Sequence, residues 1–226
     1  MIVTGFYTPD YRPLAERLSR QLDAVGASCR FYPHQIDGGW DRQLMAKPLI
    51  VIRAMCDFPD QTIVLMDVDC EVRAPILDLD TISGDVALAW RSKVSAVGRA
   101  NNWPSSRVVV FRQTDGARAL ANNWLRRCRV AEQATRHRKV KLDDELMLSA
   151  AVSQTEGVSV QILPDRFAAH EDDEAPEDAV IVHQSAHDKV RTAWTFQKRM
   201  KAARRRLISK ITGRDYVEWK YGEPIE

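Results

Sequence analysis

Residues 2–72 alternate between short apolar runs and stretches of helical period, and this alternation narrows the possible folds more than any other feature of the chain. The run 2–7 predicts a strand. Thr8, Pro9 and Asp10 make a turn and a helix start. Leu14, Leu18, Leu22 and Val25 then recur at helical spacing, and Gly26 supplies a stop. Residues 28–32 predict a second strand and Asp37, Gly38 and Gly39 a flexible loop. Residues 43–56 predict a second helix, in which Pro48 is tolerable only near the first turn because it lacks an N–H. Residues 62–66 form a third apolar run. Strand, helix, strand, helix, strand is the pattern of a parallel sheet with helices on its faces. No G-x-G-x-x-G follows the first strand, so the dinucleotide fingerprint is absent.

Further along, residues 85–90 and 107–111 predict two strands joined by a polar loop at 101–106. Thr114 and Asp115 cap a helix carrying Leu120, Trp124 and Leu125. A helix is expected over 142–152, opened by Asp143 and Asp144. The last strands are expected at 158–163 and 179–182, separated by an acidic loop at 171–178. From 189 to about 210 the chain reads as a strongly basic helix. The expected organisation is one domain, 1–188, with a C-terminal helical extension, 189–226.

A chain of 226 residues, 45% hydrophobic and 28% charged, has ample material for a buried core. No apolar run approaches the roughly 20 residues of a membrane span. The N-terminus leads straight into a strand-like run without the pattern of a signal peptide, so cytoplasmic residence is the expectation. Cys29, Cys56, Cys70 and Cys128 form no C-x-x-C pair. That spacing argues against a zinc knuckle or a disulfide framework and suits a reducing compartment. Cys70 reads as a small buried thiol rather than a nucleophile.

The chemistry concentrates where the third apolar run ends, at Asp67 and Asp69. In an open α/β sheet, ligands sit beyond the carboxyl ends of the strands. Two carboxylates there suit a hard divalent cation and, through it, a diphosphate. They also suit a plain turn closing a strand. His183 ends another apolar run, and imidazole joins carboxylates readily around manganese or a similar ion. His187 competes for that role. Lys189, six residues after His183, could neutralise phosphate oxygens on the same substrate.

Taken in chain order, these residues resemble the metal-dependent nucleotide-sugar transferases of the GT-A fold, in particular glycosyltransferase family 8. Asp67-Val68-Asp69 matches the Asp-x-Asp motif of that fold. The segment 183–189 matches the spacing of the family's late His-x-x-Gly-x-x-Lys motif, with Ala186 in place of glycine. Asp144 and Glu145 resemble the segment that faces the sugar. Residues 101–111 occupy the place of an Asn-x-Gly segment before a strand, with Arg107 where small residues are usual. Lys47 and Pro48 resemble a Lys-Pro pair that precedes the helix leading to Asp-x-Asp.

The resemblance implies an α/β fold with a mixed, mostly parallel central sheet flanked by helices. It implies Mn2+ (or Mg2+) held by Asp67, Asp69 and His183, and a nucleoside diphosphate sugar, first of all a UDP-sugar, as donor. Thr4, Gly5, Tyr7, Lys47, Asp67 and Lys189 are the implied nucleotide and sugar contacts. Asp144 and Glu145 are the implied catalytic carboxylates. The acceptor (carbohydrate, lipid-linked or protein) is left open by the sequence. So is the choice between retention and inversion, although likeness to family 8 points to retention.

Arg204, Arg205 and Arg206 mark the densest part of the basic tail. Such a helix could pack on the body, lie on the inner face of an anionic membrane or bind an acidic polysaccharide. No motif of nucleic-acid recognition accompanies it. Two other classes use the same carboxylates. A metal-dependent phosphotransferase or nuclease is disfavoured by the missing G-x-x-x-x-G-K loop. A non-catalytic transferase-like binding module draws support from Arg107 and Ala186.

Overall fold

Six strands build the central sheet of the computed structural model, which describes residues 1–34, 40–94, 100–135, 142–170 and 176–184. Strand β1 (Ile2–Tyr7) pairs in parallel with β2 (Cys29–Pro33) on one side and β3 (Ile63–Met66) on the other. The sheet continues through β6 (Ala100–Phe111), β5 (Val86–Val94) and β7 (Val160–Ile162), in the order β2-β1-β3-β6-β5-β7. Only β6 runs against its neighbours, being antiparallel to both β3 and β5. The sheet is therefore mixed and mostly parallel, as expected.

All four residues of β3 are buried, the pattern of a strand covered on both faces. Its side chains alternate between two cores. Ile63 and Leu65 pack with Ile50, Leu120, Trp124 and Leu148, on the side of helices α3 (Lys47–Asp57), α4 (Asp115–Thr135) and α5 (Asp144–Gln154). Val64 and Met66 pack with Leu18 and Leu22 of α1 (Arg12–Ala24), and with Cys70 and Ile181. Helix α1 ends as expected: Gly26 takes φ +75°, and Ala27 N donates to the Leu22 carbonyl at 2.9 Å.

Two expectations change. The helix foreseen at 43–56 is in fact two, α2 (Trp40–Leu44) and α3, because Pro48 can only occupy a first turn and so forces a restart at Lys47. Residues 101–106, expected as a loop, are strand: they continue β6 and pair antiparallel with β5, Trp103 against Arg91 and Asn102 against Ser92. Their hydrogen bonds come from β5, a partner that local polarity does not advertise.

A second, three-stranded sheet lies at the end of the first. Its strands are β4 (Cys70–Val72), β9 (Ile181–His183) and β8 (Ala169–His170), in the order β4-β9-β8. The β4–β9 ladder is antiparallel and sets His183 opposite Cys70. The loop foreseen at 37–39, most of the acidic loop, His187, Lys189 and the basic tail lie outside the described residues.

Candidate active site

Strand β3 points its carboxyl end at a tight turn. Asp67 N donates to the Arg107 carbonyl (3.0 Å), and Cys70 N donates back to the Asp67 carbonyl (3.0 Å). Both bonds fix the turn that carries Asp67 and Asp69. Gly5 of β1 makes room for it: a Cβ there would lie 2.4 Å from the Met66 carbonyl oxygen. Gly5 thus has a packing reason for being glycine, whatever ligand passes the strand end.

The small sheet delivers the histidine. Its register places His183 beside the residue after Asp69, and Gln184 N donates to the Asp69 carbonyl at 3.0 Å. As a result His183 Nε2 stands 3.1 Å from Asp69 Oδ1 and 3.8 Å from Asp67 Oδ2. Ligand atoms of the three side chains lie within 4.8 Å of one another, the one such grouping of three or more His, Cys, Asp and Glu among the described residues. The His183 ring stacks on that of His170, with centroids 5.2 Å apart and planes at 19°. Arg17 of α1 braces the turn and the histidine strand together, donating to the Cys70 carbonyl and to Gln184 Oε1, both at 3.1 Å.

Behind the acidic pair lies a buried ion network. Lys47, at the first turn of α3, is 2% exposed. Its ammonium lies 2.9 Å from Asp67 Oδ1 and 3.0 Å from Asp144 Oδ2, and donates to Ser106 Oγ at 2.9 Å. Ser106 in turn donates to Asp144 Oδ2 at 2.6 Å. Burial by itself would lower the Lys47 pKa, but Asp144 and Asp67 outweigh it and hold the ammonium above its ordinary value. Asp67 is pushed the other way for a carboxylate: burial, and then Asp69, raise it against the pull of Lys47 and His183. One lysine does not balance this acidic cluster.

That imbalance is the test of whether the residues suit a metal ion. Two carboxylates and an imidazole, partly buried and short of positive charge, form an O, O, N donor set of the kind that takes Mn2+ or Mg2+. They fit.

Glu145 sits on the far side of the network. Asp143 caps α5, accepting from Leu146 N at 3.2 Å, so that Asp144 and Glu145 fall in its first turn. Asp144 faces inward and is 4% exposed. Glu145 is more open; it accepts from Trp103 Nε1 (2.7 Å), Ser105 Oγ (3.2 Å) and Ser106 N (3.4 Å). Arg91 approaches it at 3.9 Å.

Ser105, Ser106 and Arg107 reach the site through an irregularity in β6. While β5 advances from Leu88 to Trp90, β6 moves from Val109 to Pro104, so several residues bulge out of the ladder. Sequence reasoning missed Ser105, Ser106, Trp103 and Arg91 because a bulge has no local signature. The small polar pair just before an apolar strand was the only signal available.

Of the remaining expected contacts, Thr4 is wholly buried and donates its hydroxyl to the Arg30 carbonyl at 2.9 Å. Tyr7, at the open end of β1, is partly exposed. The four cysteines are free, and burial pushes the Cys70 thiol well up, consistent with a packing residue.

No protein-family model and no curated protein sequence matches the chain. Solved structures do. A glycosyltransferase involved in the glycosylation of the major capsid of PBCV-1 superposes with a TM-score of 0.56, over 80% of this chain and 91% of that one, at 12% identity. The apo-form glycosyltransferase GlyE of Streptococcus pneumoniae TIGR4 gives 0.50 over 80% of this chain and 53% of its own length, at 15% identity. The galactosyltransferase LgtC gives 0.49 over 82% and 87%, at 10% identity. At such identities the likeness is one of fold. The chain has the GT-A glycosyltransferase fold, and its Asp-x-Asp pair stands at the end of β3. No helix among the described residues is long and apolar enough to cross a membrane.

Proposed function

We propose that this protein is a metal-dependent glycosyltransferase that moves a sugar from a nucleoside diphosphate sugar, first of all a UDP-sugar, to a carbohydrate, lipid-linked or protein acceptor. The observation that carries this reading is the convergence of Asp67, Asp69 and His183 within 4.8 Å, on this fold, despite their separation in sequence. Mn2+ or Mg2+ held by these three would act as a Lewis acid on the diphosphate, stabilising the charge of the leaving group.

The chain's own residues supply the rest. The bond that breaks joins the anomeric carbon to a diphosphate oxygen; the bond that forms joins that carbon to an acceptor oxygen, whose proton must leave. Positive charge spreads over the sugar ring as the first bond lengthens. Glu145, held in place by its three donors, and Asp144 behind it put negative charge on that side. In this reading Lys47 is a positioning residue. It fixes the orientation of Asp67 and Asp144 without needing to touch the substrate. The open end of β1, with Gly5 and Tyr7, receives base and ribose, while Lys189 adds positive charge at the diphosphate. Transfer with retention is part of the proposal and rests on the likeness of the late motif to family 8.

Binding of ligand to the folded state alone must raise the melting temperature. Mn2+ together with UDP or GDP is therefore expected to raise it by more than either component does separately. No shift with any nucleoside diphosphate plus metal would overturn the reading. A panel of nucleotide sugars with Mn2+, followed by donor hydrolysis without acceptor, would then name the donor.

A further inference from the structure

The Asp67 oxygen that faces the metal-binding group is already engaged. Asp67 Oδ2 lies 3.8 Å from His183 Nε2, and the same atom accepts from the Lys47 ammonium at 3.1 Å. The other oxygen of Asp67 stands 2.9 Å from that ammonium. Asp69 meets the imidazole instead, its Oδ1 being 3.1 Å from His183 Nε2. Lys47 comes to this position because Pro48 starts α3 there, and packing leaves the residue 2% exposed.

An ammonium is a compact charge with three donors. Here three groups take them: Asp67, Asp144 Oδ2 at 3.0 Å and Ser106 Oγ at 2.9 Å. Ser106 in turn donates to Asp144 Oδ2 at 2.6 Å and fixes that carboxylate against the lysine. One positive charge is thus divided between two carboxylates. Asp67 belongs to the metal-binding group and Asp144 does not. A divalent ion and the ammonium both draw on Asp67. The ion gains less from a carboxylate whose charge is already offset, and the ammonium repels it as well. So far from water, salt screens these effects little. Asp144 acts in the opposite direction: the more of the lysine's charge it takes, the more of Asp67's is left for the ion.

We propose that Lys47 competes with the metal ion for Asp67, and that Asp144, by sharing the lysine, sets how tightly the ion is held. This rests on the metal site of the reading above and describes the regulation of that site. Asp144 then governs an ion that it does not touch, and the ion exchanges with solvent instead of being locked in place.

The test uses the full chain and Mn2+ alone, the free ion being counted by its paramagnetic resonance at fixed pH. Lys47→Met removes the competing charge and is expected to tighten Mn2+ binding about tenfold or more. Asp144→Asn leaves the ammonium to Asp67 and should weaken binding about threefold to tenfold. The opposite signs separate competition from bracing, because loss of a brace would weaken binding in both variants. Since Asp144 acts through Lys47, adding Asp144→Asn to Lys47→Met should alter the affinity by less than about twofold. The double variant removes one charge of each sign, so it reports even where Lys47→Met alone does not fold. Binding no tighter than the parent's in Lys47→Met and in the double variant would overturn the proposal and leave Lys47 a brace only. No Mn2+ binding by the parent would remove the metal site and the proposal together. Affinities in the expected order, with no response of the melting temperature to UDP plus Mn2+, would keep this proposal and remove the transferase reading. Melting curves without ligand establish that each variant is folded.

Discussion

Lys47 and Asp144 meet at 3.0 Å in the interior, where the first turn of α3 faces the first turn of α5. The same ammonium reaches Asp67, so one buried cation ties two helices to the end of β3. Removing one partner of such a network strands charge in a low-dielectric site, which typically costs about 3–5 kcal/mol. Lys47→Met is expected to destabilise by that much in urea unfolding. Adding Asp144→Asn to it should recover part of the loss, because the second change removes one of the charges left unpaired. A loss below about 1 kcal/mol for Lys47→Met would mean that the network is not closed as described.

His183 and Asp69 allow the proposed metal site to be tested on its own. Their contact at 3.1 Å places an imidazole against a carboxylate that the buried Lys47 network does not occupy. Asp69→Asn keeps the side chain's shape but removes its charge. The variant is expected to melt close to the parent without ligand and to lose the Mn2+-dependent part of the shift with UDP. If the Mn2+-dependent shift survives, Asp69 is not a ligand. His183→Ala tests the third donor in the same way, with His187 unchanged as the internal comparison.

The fold was largely legible because most elements advertise themselves. The run 62–66, Gly26 as a helix stop and Asp143 as a cap each act locally, and each is where the sequence placed it. The acidic pair was legible for the same reason: two carboxylates at the end of an apolar run are a local event. What stayed hidden was long-range. The burial of Lys47 follows from Asp67 and Asp144 closing on it, and nothing near Lys47 in sequence announces either. The strand at 101–106 depends on β5, and the bulge that turns Ser105 and Ser106 into the site depends on register, which a single strand does not encode.

Gly5 and Met66 make a steric prediction that is independent of any ligand. A methyl at position 5 would lie 2.4 Å from the Met66 carbonyl oxygen and 3.3 Å from the Phe31 ring. The oxygen belongs to the backbone of the central strand and cannot swing aside. Gly5→Ala must therefore part β1 from β3 just before the turn that holds Asp67. Overpacking of this kind costs about 1–3 kcal/mol. The displaced turn should also weaken Mn2+ binding in the protein that remains folded. Calorimetry beside urea unfolding separates the two effects; a variant as stable as the parent would contradict the close approach.

Glu145 allows its proposed catalytic role to be tested apart from binding. Its carboxylate accepts from Trp103, Ser105 and Ser106, and all three are donors. Glu145→Gln would turn an amide NH2 towards one of those donors, since only one side-chain oxygen remains to accept. It would also remove the negative charge that the proposed mechanism sets against the developing positive charge of the sugar ring. The expected result is a fall of about 100-fold or more in turnover of the donor, the usual scale for losing one charge-stabilising group, with UDP and Mn2+ binding little changed. Glu145→Asp keeps the charge but draws it back from Trp103, and an intermediate rate is expected. A Glu145→Gln variant that turns over normally would move the role to Asp144, whose carboxylate lies deeper and shares its oxygen with Lys47 and Ser106.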